Sequence, residues 1–181
     1  SVYDEKGKER PYVFYIPSTM KTSGNSMLVF IPGGEKPEDF FRRNHWDLVL
    51  EKYAITTYFV SALEGWDQEN PGLEMDMATR VMEEMRSMEY FPCNAPGVYC
   101  MGFGDGARMA AVFSVLHVSV LAAWAAYGDT QLDESLLDWL GTAPSDCDGG
   151  IMRGQVPLPS FIIDDGESNV VRFFKKACRT K

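Results

Sequence analysis

The chain contains 181 residues, which is enough for one domain with a hydrophobic core. Its 17 Lys and Arg residues against 26 Asp and Glu residues give a net charge of −9. That sign argues against binding to nucleic acid or to anionic membranes. The longest apolar stretch, Ala110 to Ala126, is interrupted by two serines and a histidine, so no segment is expected to span a membrane. The first residues show no signal peptide.

The cysteines and histidines bear on metal binding and disulfides. There are four cysteines and two histidines, and no two cysteines form a C-x-x-C pair, so we expect neither a metal site nor a cofactor. Cys100 lies in an apolar strand pattern and is predicted to be a core thiol. Disulfides among the other three stay open, because sequence alone does not pair them: Cys93, Cys147 and Cys178.

The first half of the chain alternates strand and helix signals. Two short apolar runs, Tyr12 to Pro17 and Met27 to Pro32, each end in proline and are predicted to be strands. A helix is predicted from Pro37, a favourable first-turn residue, to about Tyr53. The β-branched and aromatic run Ala54 to Val60 indicates a buried strand, and Glu64 to Gly72 has the glycines and proline of a loop.

The clearest helix pattern follows that loop. Met77, Val81, Met85 and Met88 fall on one stripe, with Ala78 and Met82 beside them. Most of the charged residues lie elsewhere around the axis, which is typical of a helix packed on a core. A methionine-rich stripe can also form a binding surface, but core packing is the more common arrangement.

The second half continues the alternation. We predict strands at Gly97 to Gly102, Val120 to Tyr127 and Leu158 to Asp164, and helices at Asp105 to His117, Leu132 to Leu140 and Asn169 to Ala177. Strands separated by helices imply a mostly parallel sheet covered on both faces, which is a three-layer α/β/α fold. No linker or internal repeat divides the chain, so residues 1–181 are predicted to form a single domain.

The most informative motif is VYCMGFGDGARMA, in which a strand runs into a glycine turn and then a helix. This is where an α/β-hydrolase presents its nucleophile, in the pattern G-x-S-x-G. Aligning Gly102 and Gly106 with the two glycines of the pattern places Gly104 at the serine. A register one residue later, with Asp105 as the nucleophile, would put Phe103 where a small residue is needed.

The chain here resembles the polyhydroxybutyrate-depolymerase-like and feruloyl-esterase-like hydrolases of the α/β-hydrolase superfamily. The resemblance runs from about Tyr12 to Val171 and is carried by four motifs in order: LVFIPGGEKPEDFF, WDLVLEKYAITTYFVSAL, MGFGDGARMAAVFSVLH and VPLPSFIIDDGESNVV. They resemble the family's oxyanion segment, its next helix and strand, its nucleophile elbow, and the loop that carries its catalytic acid. The resemblance implies an α/β-hydrolase fold and a relation to secreted carboxylic ester hydrolases.

The catalytic positions that the resemblance implies are degenerate. The nucleophile position is Gly104, which has no side chain, and the acid position, counted from Gly166, falls on Asn169. Carboxylates that would replace the acid if the loop shifts lie close by: Asp164, Asp165 and Glu167. The family's histidine follows a further strand, and the sequence ends at Lys181 before one. The two histidines present, His45 and His117, fall on predicted helices.

The oxyanion segment also departs from the family. Its His-Gly is replaced by Pro32 and Gly33, and proline has no N–H to donate. The backbone N–H groups of Gly33 or Gly34, together with that of Asp105, remain candidates for an anion pocket. Trp66, in the loop after the third strand, is a candidate for lining a ligand cleft, although such a residue more often covers the edge of a core.

These residues lead to three functional hypotheses. The first is a non-catalytic homologue with a small-molecule or ester ligand in the cleft at the strand ends. The second is a serine esterase seen as a Ser-to-Gly mutant or a fragment, because truncation would also explain the missing histidine. The third is a dinucleotide-binding oxidoreductase, in which Gly102, Gly104 and Ala107 form the G-x-G-x-x-A turn and Asp129 binds a ribose. The third is disfavoured because such a turn normally follows the first strand.

Overall fold

The structure is a computed structural model that describes residues 2–3, 7–18, 25–70, 72–87, 98–117, 121–127 and 160–163. Within these residues the strands are β1 (Val2–Tyr3), β2 (Glu9–Arg10), β3 (Tyr12–Tyr15), β4 (Asn25–Phe30), β5 (Ile55–Val60), β6 (Val98–Phe103), β7 (Leu121–Tyr127) and β8 (Ser160–Ile163). The helices are α1 (Pro37–Arg43), α2 (Trp46–Tyr53), α3 (Gly72–Ser87) and α4 (Gly106–Leu116).

Six of the strands form one mixed sheet in the order β3-β5-β4-β6-β7-β8. The edge strand β3 is antiparallel to β5, and every other neighbouring pair is parallel. Strands β1 and β2 form a separate antiparallel pair. The mostly parallel sheet confirms the predicted fold class, because parallel strands require crossover helices that cover the faces of the sheet.

Both faces of the sheet are covered by helices. Along β4, Leu28 and Phe30 belong to a cluster that also holds the buried residues of α3 and α4. The alternate residues Met27 and Val29 belong to a second cluster, which holds Phe40, Trp46 and Leu50 of α1 and α2. Because successive residues of a strand point to opposite faces, a strand buried on both faces is apolar throughout. All six residues of β5 are buried as well, including Thr56 and Thr57.

The methionine-rich helix packs on the core, as predicted. Met77 and Val81 are buried in the same cluster as Ala78 and Met82. The side chain of Met85 and the whole of Met88 lie outside the described residues. In the described part, the stripe is therefore core and not a surface for a ligand.

The prediction of one continuous helix from Pro37 to Tyr53 is wrong. The chain forms two helices, and between them His45 adopts the left-handed conformation at φ 52° and ψ 41°. Phe40 and Trp46 are both buried in one cluster, with ring centroids 6.4 Å apart. On a continuous helix, residues six positions apart would point about 120° away from each other. The break turns both aromatic rings toward the same face of the sheet.

Cys100 is a buried free thiol in β6, as predicted. Its sulfur lies 3.7 Å from the carbonyl oxygen of Ala110, and burial raises the pKa of the thiol far above its ordinary value. A thiol held in its neutral form is a poor nucleophile, so Cys100 is not a substitute for the missing serine. The other three cysteines lie outside the described residues.

Several predicted elements cannot be compared with the structure. The helices predicted at Leu132 to Leu140 and Asn169 to Ala177 lie outside the described residues.

Among the described residues, no helix is long and apolar enough to cross a membrane. In that same part of the chain, no group of three His, Cys, Asp or Glu side chains is placed to hold a metal ion.

A buried ion pair joins β2 to α3. The Arg10 guanidinium donates to the Glu74 carboxylate at 2.7 Å, and the two side chains are only 4% and 3% exposed. Glu74 also accepts a long hydrogen bond of 3.4 Å from the backbone N–H of Asp67. A buried charge that loses its partner is costly, so this pair ties the start of the chain to the loop that precedes α3.

Breaking this pair is expected to destabilise the fold strongly. Glu74→Leu leaves the Arg10 charge buried without its carboxylate, and the free energy of unfolding should fall by about 3–5 kcal/mol. Urea unfolding followed by circular dichroism measures the change. The matched control is Asp76→Asn, which removes the exposed ion pair with Arg80 on the same helix and should cost less than about 1 kcal/mol. Equal losses for the two variants would contradict the expectation.

Candidate active site

The centre of the candidate site is the sharp corner between β6 and α4. Strand β6 ends at Phe103, Gly104 turns the chain at φ +54°, and α4 begins at Gly106. The N–H of Gly104 donates to the carbonyl oxygen of Tyr127 in β7 at 2.9 Å. The corner therefore lies at the carboxyl edge of the parallel strands, where open α/β sheets bind their ligands.

The two flanking glycines of the motif are required by the close packing of α4. A Cβ atom on Gly102 would lie 2.4 Å from the Cα of Ala107, and one on Gly106 would lie 2.6 Å from the carbonyl oxygen of Phe30. Neither neighbour can yield, because both are backbone atoms. This explains why the chain keeps the G-x-x-x-G spacing although it lacks a serine between the glycines.

Gly104 occupies the corner for a different reason. A Cβ atom there would lie 3.8 Å from the Cβ and Cγ of Pro32, which is ordinary van der Waals contact. Space is available for a side chain, and only the positive φ disfavours one. The corner has the strand–turn–helix geometry that the G-x-S-x-G pattern predicts, with a glycine at its central position.

The loop after β4 approaches this corner directly. The N–H of Gly33 donates to Oδ1 of Asp105 at 2.8 Å, and the N–H of Gly34 donates to the carbonyl oxygen of Ala62 at 2.8 Å. Both candidate oxyanion donors of the loop therefore already have acceptors within the protein. The acceptor of the Gly33 N–H is the side chain of the residue that follows the nucleophile position.

Close packing holds the Asp105 carboxylate in place. A Cβ atom on Gly33 would lie 2.6 Å from Oδ2 of Asp105 and 2.7 Å from the Cα of Gly65. Asp105 occupies the N-cap position of α4 but makes no side-chain cap hydrogen bond to that helix. Its carboxylate turns instead to a backbone group 72 positions earlier in the sequence.

The loop that carries Trp66 forms one wall of this region. The Trp66 side chain is 5% exposed, its indole N–H donates to the carbonyl oxygen of Ile31 at 2.8 Å, and its ring packs edge-on against Phe30. Trp66 therefore fixes the loop and covers the core, the alternative that we considered the more common. Gln68 of the same loop donates to the carbonyl oxygen of Asp105 at 3.1 Å. Sequence reasoning missed Gln68, because nothing in its neighbourhood marks it.

The two histidines lie at the ends of helices, and His117 is far from the corner. His117 ends α4, whose 11 residues place it about 16 Å along the helix from the elbow. Its Nε2 lies 3.0 Å from the Thr79 hydroxyl, and its ring packs on Phe113. His45 lies in the turn between α1 and α2, and its imidazole makes no hydrogen bond within the described residues.

The residues predicted for ribose binding and for the acid loop follow strands β7 and β8. Strand β8 pairs with β7 in parallel, with Ile163 opposite Tyr127, so it ends at the same edge of the sheet as the elbow. The residues predicted to act beyond these strands lie outside the described residues: Asp129, Asp164, Asp165, Glu167 and Asn169.

Comparison with solved structures identifies the fold. A ferulic acid esterase superposes with a TM-score of 0.62 at 13% identity, over 99% of this chain and 96% of its own. An acetyl xylan esterase from Aspergillus awamori gives 0.56 at 15% identity, over 65% of this chain. A thermophilic esterase of Thermogutta terrifontis with bound butyrate gives 0.52 at 12% identity, over 98% of this chain and 76% of its own.

These similarities show the fold and not the activity, because all the identities are low. The chain spans 46% of the acetyl xylan esterase, less than half of its length. No protein-family model matches the sequence, and comparison with the curated proteins gives no match. The strand order, the corner between β6 and α4 and these structures together define an α/β-hydrolase type of fold.

The steric roles of the glycines can be separated by substitution. Gly102→Ala forces a Cβ atom onto the backbone of Ala107 and should lower the free energy of unfolding by about 4 kcal/mol or more. Gly104→Ala meets no close atom and should cost only about 1–2 kcal/mol, the penalty of a left-handed backbone. Urea unfolding of both variants measures the difference, and a larger loss at Gly104 would contradict this account.

Proposed function

We propose that this chain is a non-catalytic α/β-hydrolase-fold protein that presents, at the carboxyl edge of its sheet, a cleft for a small-molecule or ester ligand. The observation that carries the proposal is Gly104 at the elbow, where the turn is retained and the nucleophile is not. The same proposal includes a relation to the polyhydroxybutyrate-depolymerase-like and feruloyl-esterase-like hydrolases. It also includes secretion of the protein. The likeness to the solved esterases supports this relation at the level of fold.

The chemistry of the corner supports the non-catalytic reading. Ester hydrolysis at an elbow needs an oxygen nucleophile, a base within hydrogen-bond reach and donors for the developing oxyanion. Gly104 supplies no oxygen, and His117, about 16 Å along α4 from the elbow, is out of reach of a side chain there. The loop donors from Gly33 and Gly34 already have internal acceptors. Each of the three requirements is therefore compromised separately.

A serine esterase carrying a Ser-to-Gly replacement is the second candidate function. The observation that favours it is the open space at Gly104, where the nearest atoms to an added Cβ atom belong to Pro32 at 3.8 Å. A serine would fit this space without displacing a neighbour. The dinucleotide alternative gains no comparable support, because the glycine turn follows a central strand of the sheet and the superposing structures named above are esterases.

The first expectation is that the chain does not hydrolyse short acyl esters. Release of p-nitrophenol from p-nitrophenyl butyrate should proceed at the buffer rate, because the elbow offers no nucleophile. His117→Ala is the control variant, because it tests whether a side chain away from the elbow catalyses the reaction. A rate well above buffer that is lost in the control would overturn the proposal.

The second expectation concerns restoration of the serine. Gly104→Ser places a hydroxyl at the corner, but without a base at about 2.6–3.2 Å the hydroxyl stays protonated and weakly nucleophilic. A fluorophosphonate probe, read by intact-protein mass spectrometry, should label Gly104→Ser no more than the matched control Gly104→Ala. Labelling of the serine variant alone would reveal a base and favour the inactivated esterase.

A further inference from the structure

We propose that the Asp105 carboxylate is an internal blocker of the oxyanion position. It holds the Gly33 N–H and keeps the acyl oxygen of an ester, or the oxygen of a short carboxylate, out of the corner beside Gly104. The inference deepens the proposed function, on which it rests for the identity of the ligand-facing corner. The contact between Asp105 and Gly33 is a second obstacle to ester hydrolysis, and it does not depend on the missing nucleophile.

The first step is the position of the donor. In α/β-hydrolases the oxyanion is bound by the N–H of the residue after the nucleophile and by an N–H from a loop that follows a neighbouring strand. Here the residue after the nucleophile position is Asp105, and the loop after β4 supplies Gly33. The hydrogen bond of 2.8 Å joins these two residues directly. The side chain of Asp105, one of the two residues of the pocket, thus accepts the hydrogen bond that the other residue, Gly33, would offer to an oxyanion.

The second step is competition between acceptors. A carboxylate is a stronger hydrogen-bond acceptor than a neutral ester carbonyl, so an ester would have to displace a better partner. A carboxylate ligand would in addition meet a like charge within the same corner. The tethered side chain also gives up little translational freedom when it binds, whereas a free ligand gives up much more.

The third step is that the Asp105 carboxylate is directed to Gly33 and not to its own helix. An aspartate at an N-cap position normally accepts from N–H groups of its own helix, and Asp105 does not. Gln68 fixes the Asp105 backbone through its carbonyl oxygen. Gly33 has no side chain, and a Cβ atom there would collide with Oδ2 of Asp105. The Asp105 carboxylate is therefore directed to the Gly33 N–H.

The test reads the Gly33 amide by nuclear magnetic resonance in isotope-labelled protein. Asp105→Ala removes the acceptor, and amide hydrogen exchange at Gly33 should accelerate by about tenfold or more, whereas Asp105→Asn keeps a neutral acceptor and should give an intermediate rate. Asp39→Asn is the matched control, because it also removes a carboxylate near the N-terminus of a helix. Its Gly33 amide should exchange as in the native protein. Unchanged exchange in both Asp105 variants would overturn the proposal.

Butyrate is the ligand probe in the second measurement. In the native protein, butyrate should leave the Gly33 amide resonance unmoved, and in Asp105→Ala it should shift that resonance saturably. A saturable shift in the native protein would show that the contact does not exclude the ligand, and this arm requires no variant to fold. Equally, no shift in a folded Asp105→Ala protein would overturn the proposal. Ester turnover by the native chain would overturn the proposed function and leave the Gly33 measurements unaffected.

Discussion

The close approach of helix α4 to the sheet is the constraint on which the candidate site depends. The helix begins so near β4 and β6 that neither Gly102 nor Gly106 can carry a Cβ atom. Such an approach leaves two residues between the strand and the helix, and the first of them, Gly104, takes a positive φ. The position of Gly104 at the sheet edge thus follows from backbone packing, before any question of chemistry. A protein that loses its nucleophile can therefore keep the elbow.

The periodicity of the sequence predicted most of the fold because burial determines it. The strands around β5 are apolar on both faces, and that pattern has few other solutions in a chain of this size. The break at His45 was not predicted, since its left-handed backbone is uncommon for histidine and no glycine or proline marks it. The break allows Phe40 and Trp46 to be buried in the same cluster. That requirement comes from the tertiary packing and not from the local sequence.

The candidate site was predicted unevenly for a similar reason. The place of Gly104 followed from local spacing, because a strand, a turn and a helix lie within one short motif. The use of the Asp105 carboxylate did not, since its partner lies 72 positions away and only the assembled sheet brings the two together. Trp66 illustrates the converse, because an aromatic residue among polar neighbours left both a cleft and the edge of the core open, and the structure buries it in the core.

Stability and ester chemistry make opposing demands on this corner. A serine at a positive φ pays a backbone penalty of about 1–2 kcal/mol, which a catalytic site tolerates in exchange for an exposed nucleophile. Gly104 removes that penalty. An oxyanion donor must likewise have no partner before the substrate binds, whereas the Gly33 N–H already donates to Asp105. In our proposal, both features lower the energy of the corner at rest, and each removes a group that catalysis would require. We infer that the corner is more stable, and less suited to catalysis, than an active site with a serine and a free oxyanion donor would be.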